Sequence, residues 1–222
     1  MVKGEYEIFT CTKEEVKIVT DMAVAEGWTE SYDAIDAIYN LDPEGYFVGK
    51  IDGKIVSSIS AVRYPGNYGF IGFYIVLEEY RGKGYGIKIF KHAMEHLKGC
   101  LVCLDAVAQE VETYKRGGFV SSEGTDRYVG TSKILPVDSH IHAYDENSHF
   151  EEVAAYDEGC LPSQRKDFLR EWLKIPHAKS VVYLDDNNRL QGYGSIHRTC
   201  HGWEIAPCYS ENKEIAKCIM TP

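Results

Sequence analysis

Apolar positions along the N-terminal part of the chain switch between a period of two and a period near 3.6, the marks of strands and helices. Residues 5–10 alternate weakly and read as a strand. Thr12-Lys13-Glu14-Glu15 then sets a hydroxyl three residues ahead of a glutamate, the sequence form of a capping box. Val16, Val19, Met22 and Ala23 supply the stripe of the helix that follows, and Gly27 ends it. A second short helix is expected over residues 31–40, stopped by Asp42-Pro43-Glu44-Gly45. Residues 46–50 and 55–63 read as strands around Asp52-Gly53, a two-residue hairpin signal. Tyr64-Pro65-Gly66-Asn67 is a further turn, and residues 68–77 form a long aromatic and β-branched strand.

That strand runs through Glu78-Glu79-Tyr80 into Arg81-Gly82-Lys83-Gly84-Tyr85-Gly86, and a helix starts at once. Ile87, Phe90, Met94 and Leu97 are expected on its packed face, with Gly99 as the stop. Residues 100–107 are apolar except for Asp105, as expected of a buried parallel strand. A helix over 109–116 leads to Gly117-Gly118-Phe119, and a last strand is expected over 127–133.

After Leu135-Pro136 the pattern begins again. A strand over 140–144 precedes a helix ending at Asp157-Glu158-Gly159, then a helix over 163–173. Strands over 180–184 and 190–198 flank the turn Asp185-Asp186-Asn187-Asn188, and a strand over 202–208 and a helix over 212–220 follow. Ala25-Glu26-Gly27 and Asp157-Glu158-Gly159 fall in corresponding places, as do the two hairpins, which reads as a degenerate internal repeat. The expected division is residues 1–135 and 136–222, the second part a shortened copy that lacks the later strands of the first. Either that unit is abbreviated by nature or the chain is a shortened version of a longer protein.

Charge narrows the partners. Thirty-four acidic against twenty-four basic residues leave a net charge of −10 with no basic run, so a nucleic-acid partner is not expected. No apolar run approaches a membrane span and no signal-peptide core follows the N-terminus, so a soluble, cytoplasmic protein is expected. Seven cysteines fit a reducing compartment. Cys100 and Cys103 form a C-x-x-C inside an apolar run, where a structural role is expected. His197, Cys200, His201 and Cys208 match no compact zinc spacing, and no metal is expected. The tyrosine content is compatible with a homodimer, although no pattern demands one.

The glycine-rich turn carries the chemistry. Alternating glycines let successive N–H groups point into one concavity at a helix N-terminus, a natural seat for a pyrophosphate. Arg81, Lys83 and Lys88 add local positive charge. A Walker A string is absent. A dinucleotide fingerprint fails at its third glycine, which would fall on Ile87 or Ile89, although Asp105 lies near the place of a ribose-binding acid. A tight turn without a ligand is the plain alternative.

Val76 to Gly86 closely resembles motif A of the GNAT acyltransferase superfamily, whose [RQ]-x-x-G-x-[GA] pattern is met by Arg81, Gly84 and Gly86. Tyr114-Lys115-Arg116-Gly117-Gly118-Phe119 resembles the end of that family's motif B, and the element order of residues 5–133 is similar to its fold. Residues 69–76 resemble members that carry a second GNAT-like unit behind the first. The resemblance implies an α/β (α+β) fold, a mixed twisted sheet flanked by helices and followed by a partial second GNAT-like unit.

It also implies an acetyl-CoA-dependent N-acyltransferase acting on a small-molecule or peptide amine. The pyrophosphate would rest on the backbone of Arg81, Gly82, Lys83, Gly84, Tyr85 and Gly86, and the pantetheine arm would pair with Tyr74, Ile75 and Val76. Tyr114 would protonate the departing thiolate, with a core tyrosine as the alternative. Gln109 stands where many members have an asparagine on the pantetheine. The amine needs a base. Strand residues 70–76 lack a glutamate, so Asp105 is the candidate carboxylate, with a structural or solvated role as the alternative. His92 and His96 read as surface residues, and Trp28, Tyr32 and Tyr46 as acceptor-pocket liners or core. The second unit has Tyr209-Ser210-Glu211-Asn212 in place of the glycine turn, and is expected to be non-catalytic and to cover or shape the acceptor cleft. The alternative from another class is a CoA-binding sensor or scaffold without turnover.

Overall fold

In the computed structural model, residues 4–122, 124–131, 136–160 and 164–221 are described. The first series of elements is β1 (Tyr6–Thr10), α1 (Lys13–Ala25), α2 (Ile35–Leu41), β2 (Tyr46–Ile51), β3 (Lys54–Tyr64), β4 (Tyr68–Val76), α3 (Tyr85–His96), β5 (Leu101–Leu104) and α4 (Val111–Arg116). It builds a five-stranded sheet of order β1-β2-β3-β4-β5, antiparallel except for the parallel pair β4–β5. The second series is β6 (Ile141–Ala143), α5 (Glu146–Cys160), α6 (Lys166–Trp172), β7 (Lys179–Leu184), β8 (Leu190–Thr199), β9 (Gly202–Ser210) and α7 (Lys213–Ile219). Its sheet, β6-β7-β8-β9, is wholly antiparallel. The second series repeats the first from β1 to α3, as the matching turns predict.

Local chemistry accounts for most boundaries. The capping box forms: Glu15 N–H donates to Thr12 Oγ1 at 3.4 Å and Thr12 N–H to Glu15 Oε2 at 3.1 Å. Asp52 and Gly53 hold φ of 49° and 80°, the paired positive values of a type I′ hairpin turn. The first core joins Phe47, Ile59, Ala61 and Ile71 of the sheet to Ile89, Ala93 and Leu97 of α3.

Four expectations need correction. Ile87 is 54% exposed, because the buried stripe of α3 runs Ile89, Ala93, Leu97, and Ile87 lies two residues, about 200°, away from Ile89. β5 covers only 101–104, and Leu101 is 67% exposed, since among the described residues the strand pairs on one side only. Of the expected strand over 127–133, residues 127–131 form none and 132–133 lie outside the described residues. α5 runs on through Gly159 to Cys160. Asp157 cannot end it, being 2% exposed and turned into the second core.

There Asp157 accepts from Arg165 Nε at 2.9 Å and Nη2 at 2.8 Å, and the buried Tyr193 hydroxyl also donates to it. The two units meet where Ala34 and Ala37, at the start of α2 and within it, pack on Ile175 after α6. Asp157→Ala strands the largely buried Arg165 guanidinium. It is expected to lower stability by about 3 kcal/mol in urea unfolding. A change within experimental error would mean that Arg165 finds another partner.

Candidate active site

β4 outruns its parallel neighbour. Pairing runs from Tyr68 opposite Leu101 to Ile71 opposite Leu104, whereas β4 continues to Val76. Residues 72–76 therefore have no strand partner on the β5 side, and a wedge opens between the two strands. Where the wedge opens, β4 bulges: its register on β3 steps from Ser60–Gly72 to Ser58–Ile75. Phe73 holds φ at 46°, a left-handed conformation costly for an aromatic residue. The buried Ser58 hydroxyl donates to its carbonyl at 2.8 Å and holds it there. Bulges of this kind end pairing and re-aim side chains beside functional sites.

A cavity of about 600 Å³ surrounds the wedge. Phe70, Phe73 and Tyr74 of β4 line it, with Tyr46 and Tyr64 from β2 and β3, and Trp28 and Glu30 from the α1–α2 connection. Asp105 and Glu110 follow β5, Tyr114 comes from α4, Arg127 from the segment after it, and Phe168 from α6 of the second unit. Tyr114 packs against Phe90 and Phe119 at 6.2 and 5.8 Å between ring centroids. Burial, then the Glu110 charge, holds its phenol pKa up. Burial likewise pushes Tyr74 up to about 12.

Beyond the end of β4 the chain turns into α3 through two glycines with positive φ, 73° at Gly82 and 82° at Gly84. Gly84 is the N-cap, its left-handed backbone the reason for glycine there, and no side chain caps the helix. At Gly86 the reason is proximity: a Cβ would lie 2.9 Å from the Tyr74 hydroxyl oxygen. The first turn of α3 holds no acidic residue, unlike that of α1. Arg81 stays exposed but folds back on its own chain, Nε donating to the Val76 carbonyl at 2.8 Å and the guanidinium pairing with Glu26. Lys83 donates to the Glu79 carbonyl, and Tyr85 stacks on Tyr6 at 4.4 Å. The Arg81 N–H, expected from the sequence to face an anion, is instead taken by the Glu78 carbonyl at 3.1 Å, so what this turn offers an anion is the backbone N–H groups after it and the positive end of the α3 dipole.

The acetyltransferase (GNAT) family model matches residues 6–119. A holothin acyltransferase from Pseudoalteromonas sp. (strain SANK 73390) is 31% identical over 204 residues, 91% of this chain and 68% of that protein. The chain belongs to the GNAT acyltransferase family. A second acetyltransferase (GNAT) domain model matches residues 153–222, so the GNAT unit is followed by another GNAT-like unit. An uncharacterized Caenorhabditis elegans protein is 23% identical over 212 residues, 88% of this chain and 68% of that one. A crystal structure of a Pyrococcus horikoshii protein, assigned as an acetyltransferase, superposes with a TM-score of 0.81 at 17% identity. It covers all of this chain and 76% of that one. A conserved Enterococcus faecalis protein gives 0.57 at 15% identity, over 98% of this chain and 60% of that one. Both share the GNAT fold across the two units.

The protein is thus a GNAT-type N-acyltransferase, from a family that uses acyl-CoA donors. Among the residues singled out in the sequence, Trp28, Tyr74, Asp105 and Tyr114 meet at the cavity, as does Tyr46. Ile75 and Val76 continue β4 toward the glycine turn. Tyr32 is not a cavity wall; it sits outside, its hydroxyl donating to Asp21 at 2.7 Å under Lys17. Gln109 is exposed on the turn after β5. His96 is not a plain surface residue, since its Nε2 lies 3.0 Å from Asp42, and both His92 and His96 set edges against Phe47.

Glu30 escapes sequence reasoning. Its carboxyl pKa is pushed up to about 7, chiefly by burial and then by the Glu204 charge, against the pull of Arg127. Nothing in Trp28-Thr29-Glu30 announces this, because the partner that fixes Glu30, Cys200, lies 170 positions later. For the bulge itself, Ser58→Ala removes the hydroxyl that satisfies the Phe73 carbonyl. It is expected to cost about 1–2 kcal/mol in urea unfolding; unchanged stability would show that the bulge does not depend on that bond.

Proposed function

We propose that this enzyme transfers an acetyl group from acetyl-CoA to a primary amine that attacks the thioester directly. The observation that supports it most is one continuous path: the open edge of β4 over residues 72–76 leads straight to the uncapped N-terminus of α3. In this reading the backbone N–H groups of residues 82–86 hold the pyrophosphate, and Tyr74, Ile75 and Val76 pair with the amide-bearing pantetheine arm. Strand N–H groups between the bulge and Val76 stabilise the oxyanion that forms as the carbonyl is attacked. Glu30 takes the proton released by the amine, and Tyr114 delivers one to the departing thiolate sulfur. Asp105, exposed at the cavity wall, is the alternative base.

The acceptor is a small amine with a flat apolar body. Trp28, Tyr64, Phe70 and Phe168 suit aromatic contact, and Glu30 and Glu110 favour a cationic head. The 31% identical relative, named as a holothin acyltransferase, supports acyl transfer as the reaction class.

Release of free thiol from acetyl-CoA with tyramine, tryptamine and a short peptide amine tests the reading. Turnover of at least one amine is expected. Tight acetyl-CoA binding without thiol release would turn the protein into an acyl-CoA binder. Gly84→Glu sets a carboxylate in the cradle and strains the backbone, and is expected to weaken acetyl-CoA binding by roughly thirtyfold or more. Unchanged affinity would move the donor site elsewhere. Glu30 works as a base only when ionised, so turnover should fall as pH drops through about 7. Glu30→Gln is expected to remove that limb with a loss of roughly a hundredfold or more, whereas Asp105→Asn keeps it.

A further inference from the structure

Glu30 lies in the connection between α1 and α2, outside both helices, so its own element does not fix it. The turn between β8 and β9 of the second unit does. Cys200 N–H donates to the Glu30 carbonyl at 2.8 Å, and Glu30 N–H donates back to the Cys200 sulfur at 3.4 Å. The same thiol lies 3.7 Å from the Trp28 carbonyl. Two residues earlier, Arg198 grips Asp33 with both arms, Nε and Nη2 each 3.0 Å from a carboxylate oxygen. The connection is therefore held on both sides of Glu30, at residues 28 and 33. Behind the turn, Glu204 of β9 stands between His197 at 3.6 Å and Arg127 at 3.5 Å. His197 is 2% exposed and packs edge-on against Trp172, so this backing is rigid.

We infer that the β8–β9 turn of the second unit is a working part of the acceptor site: it sets the Glu30 carboxyl in the cavity, with Cys200 and Arg198 as positioning residues. The inference rests on the reading of Glu30 as the proton acceptor. Two features separate it from plain packing between units. The contacts converge on the segment that brings Glu30 to the cavity, on the side away from Asp105 and Glu110, which reach it from the chain after β5. They also bring a like charge, Glu204, close enough to disfavour ionisation of Glu30. The charges acting on Glu30 are Glu204 and Arg127; the other titratable groups around it are Cys200 of the turn and, on the cavity wall, Asp105, Glu110, Tyr46, Tyr64, Tyr74 and Tyr114. Burial outweighs them, and burial is what the turn enforces.

The test follows the Glu30 carboxyl itself in the full chain labelled with 13C at glutamate carboxyls. Its resonance is the one missing in Glu30→Gln. In the unmodified protein its midpoint is expected near 7. In Arg198→Ala/Cys200→Pro, which removes the Asp33 grip, the thiol and the N–H that bonds the Glu30 carbonyl, the carboxyl is freed toward water, and the midpoint should fall by roughly one pH unit or more toward the ordinary glutamate value. Acetyl-CoA affinity should stay within about twofold, because the turn touches no part of the donor path, and turnover of the amine panel should drop roughly tenfold or more. Glu204→Gln, which breaks no contact to the connection, should lower the midpoint by roughly half a unit and keeps the test open where the double variant fails to fold. Midpoints unmoved in both variants would overturn the inference and leave the turn a packing contact. A midpoint that moves while Glu30→Gln retains full turnover would uphold the clamp and sink only the reading of Glu30 as base.

Discussion

The site depends on β4 and β5 parting company. Parallel neighbours joined through a helix need enough chain to cross over, and here α3 makes the crossing. Because β5 gives out at Leu104, the far half of β4 has no strand partner on that side. Open backbone groups beside a buried sheet are expensive to leave unpaired, so such an edge persists where something else pairs with it. The Phe73 bulge adds a second cost, a left-handed aromatic residue held by Ser58. Strain and an unpartnered strand edge thus fall on the same stretch of β4, the stretch that the proposed reading uses for the donor.

The second GNAT-like unit shows what happens when that edge is given up. β9 follows β8 with a register shift between Gly194 and Ile196, as β4 follows β3 with one between Ser58 and Ser60. No parallel strand follows β9 in its sheet among the described residues. The helix after it, α7, is closed by its own sequence: the Asn212 side chain accepts from the N–H groups of Glu214 and Ile215 at 3.0 Å each, and Glu214 occupies the first turn. The N-terminus that α3 leaves free is here satisfied from within and guarded by a carboxylate. One fold thus carries a helix without a side-chain cap in its first copy and an ordinary capped helix in its second.

What the sequence made legible follows from the range of the interactions involved. The capping box and the hairpin turns are written in residues a few positions apart, and the repeat in turns of the same kind recurring along the chain, so they could be read directly. The stripe of α3 was misplaced because Ile87 and Ile89 are equally apolar, and only the position of the sheet decides which is buried. Asp157 looked like part of a helix stop because its partners, Arg165 and Tyr193, lie on other elements. Tyr32 and Trp28 looked alike as candidate liners, yet a bond to Asp21 draws Tyr32 away from the cavity. Glu30 had no local mark at all.

That invisibility has a physical origin. The strand that receives the thioester in the proposed reading is filled on the cavity side with aromatic residues, Phe70, Phe73 and Tyr74. They shape the wedge, and β4 carries no carboxylate. A base must then come from outside the sheet, on a connection too irregular to hold a half-buried charge unaided. Burying a carboxyl raises its pKa toward the working range, but it also pushes the group to escape into water. Something must resist the escape. The β8–β9 turn, bonded to the main chain of Glu30 rather than to its carboxyl, resists it without satisfying the charge. A second copy of the fold, stripped of its own cradle, is in that arrangement still required by the first.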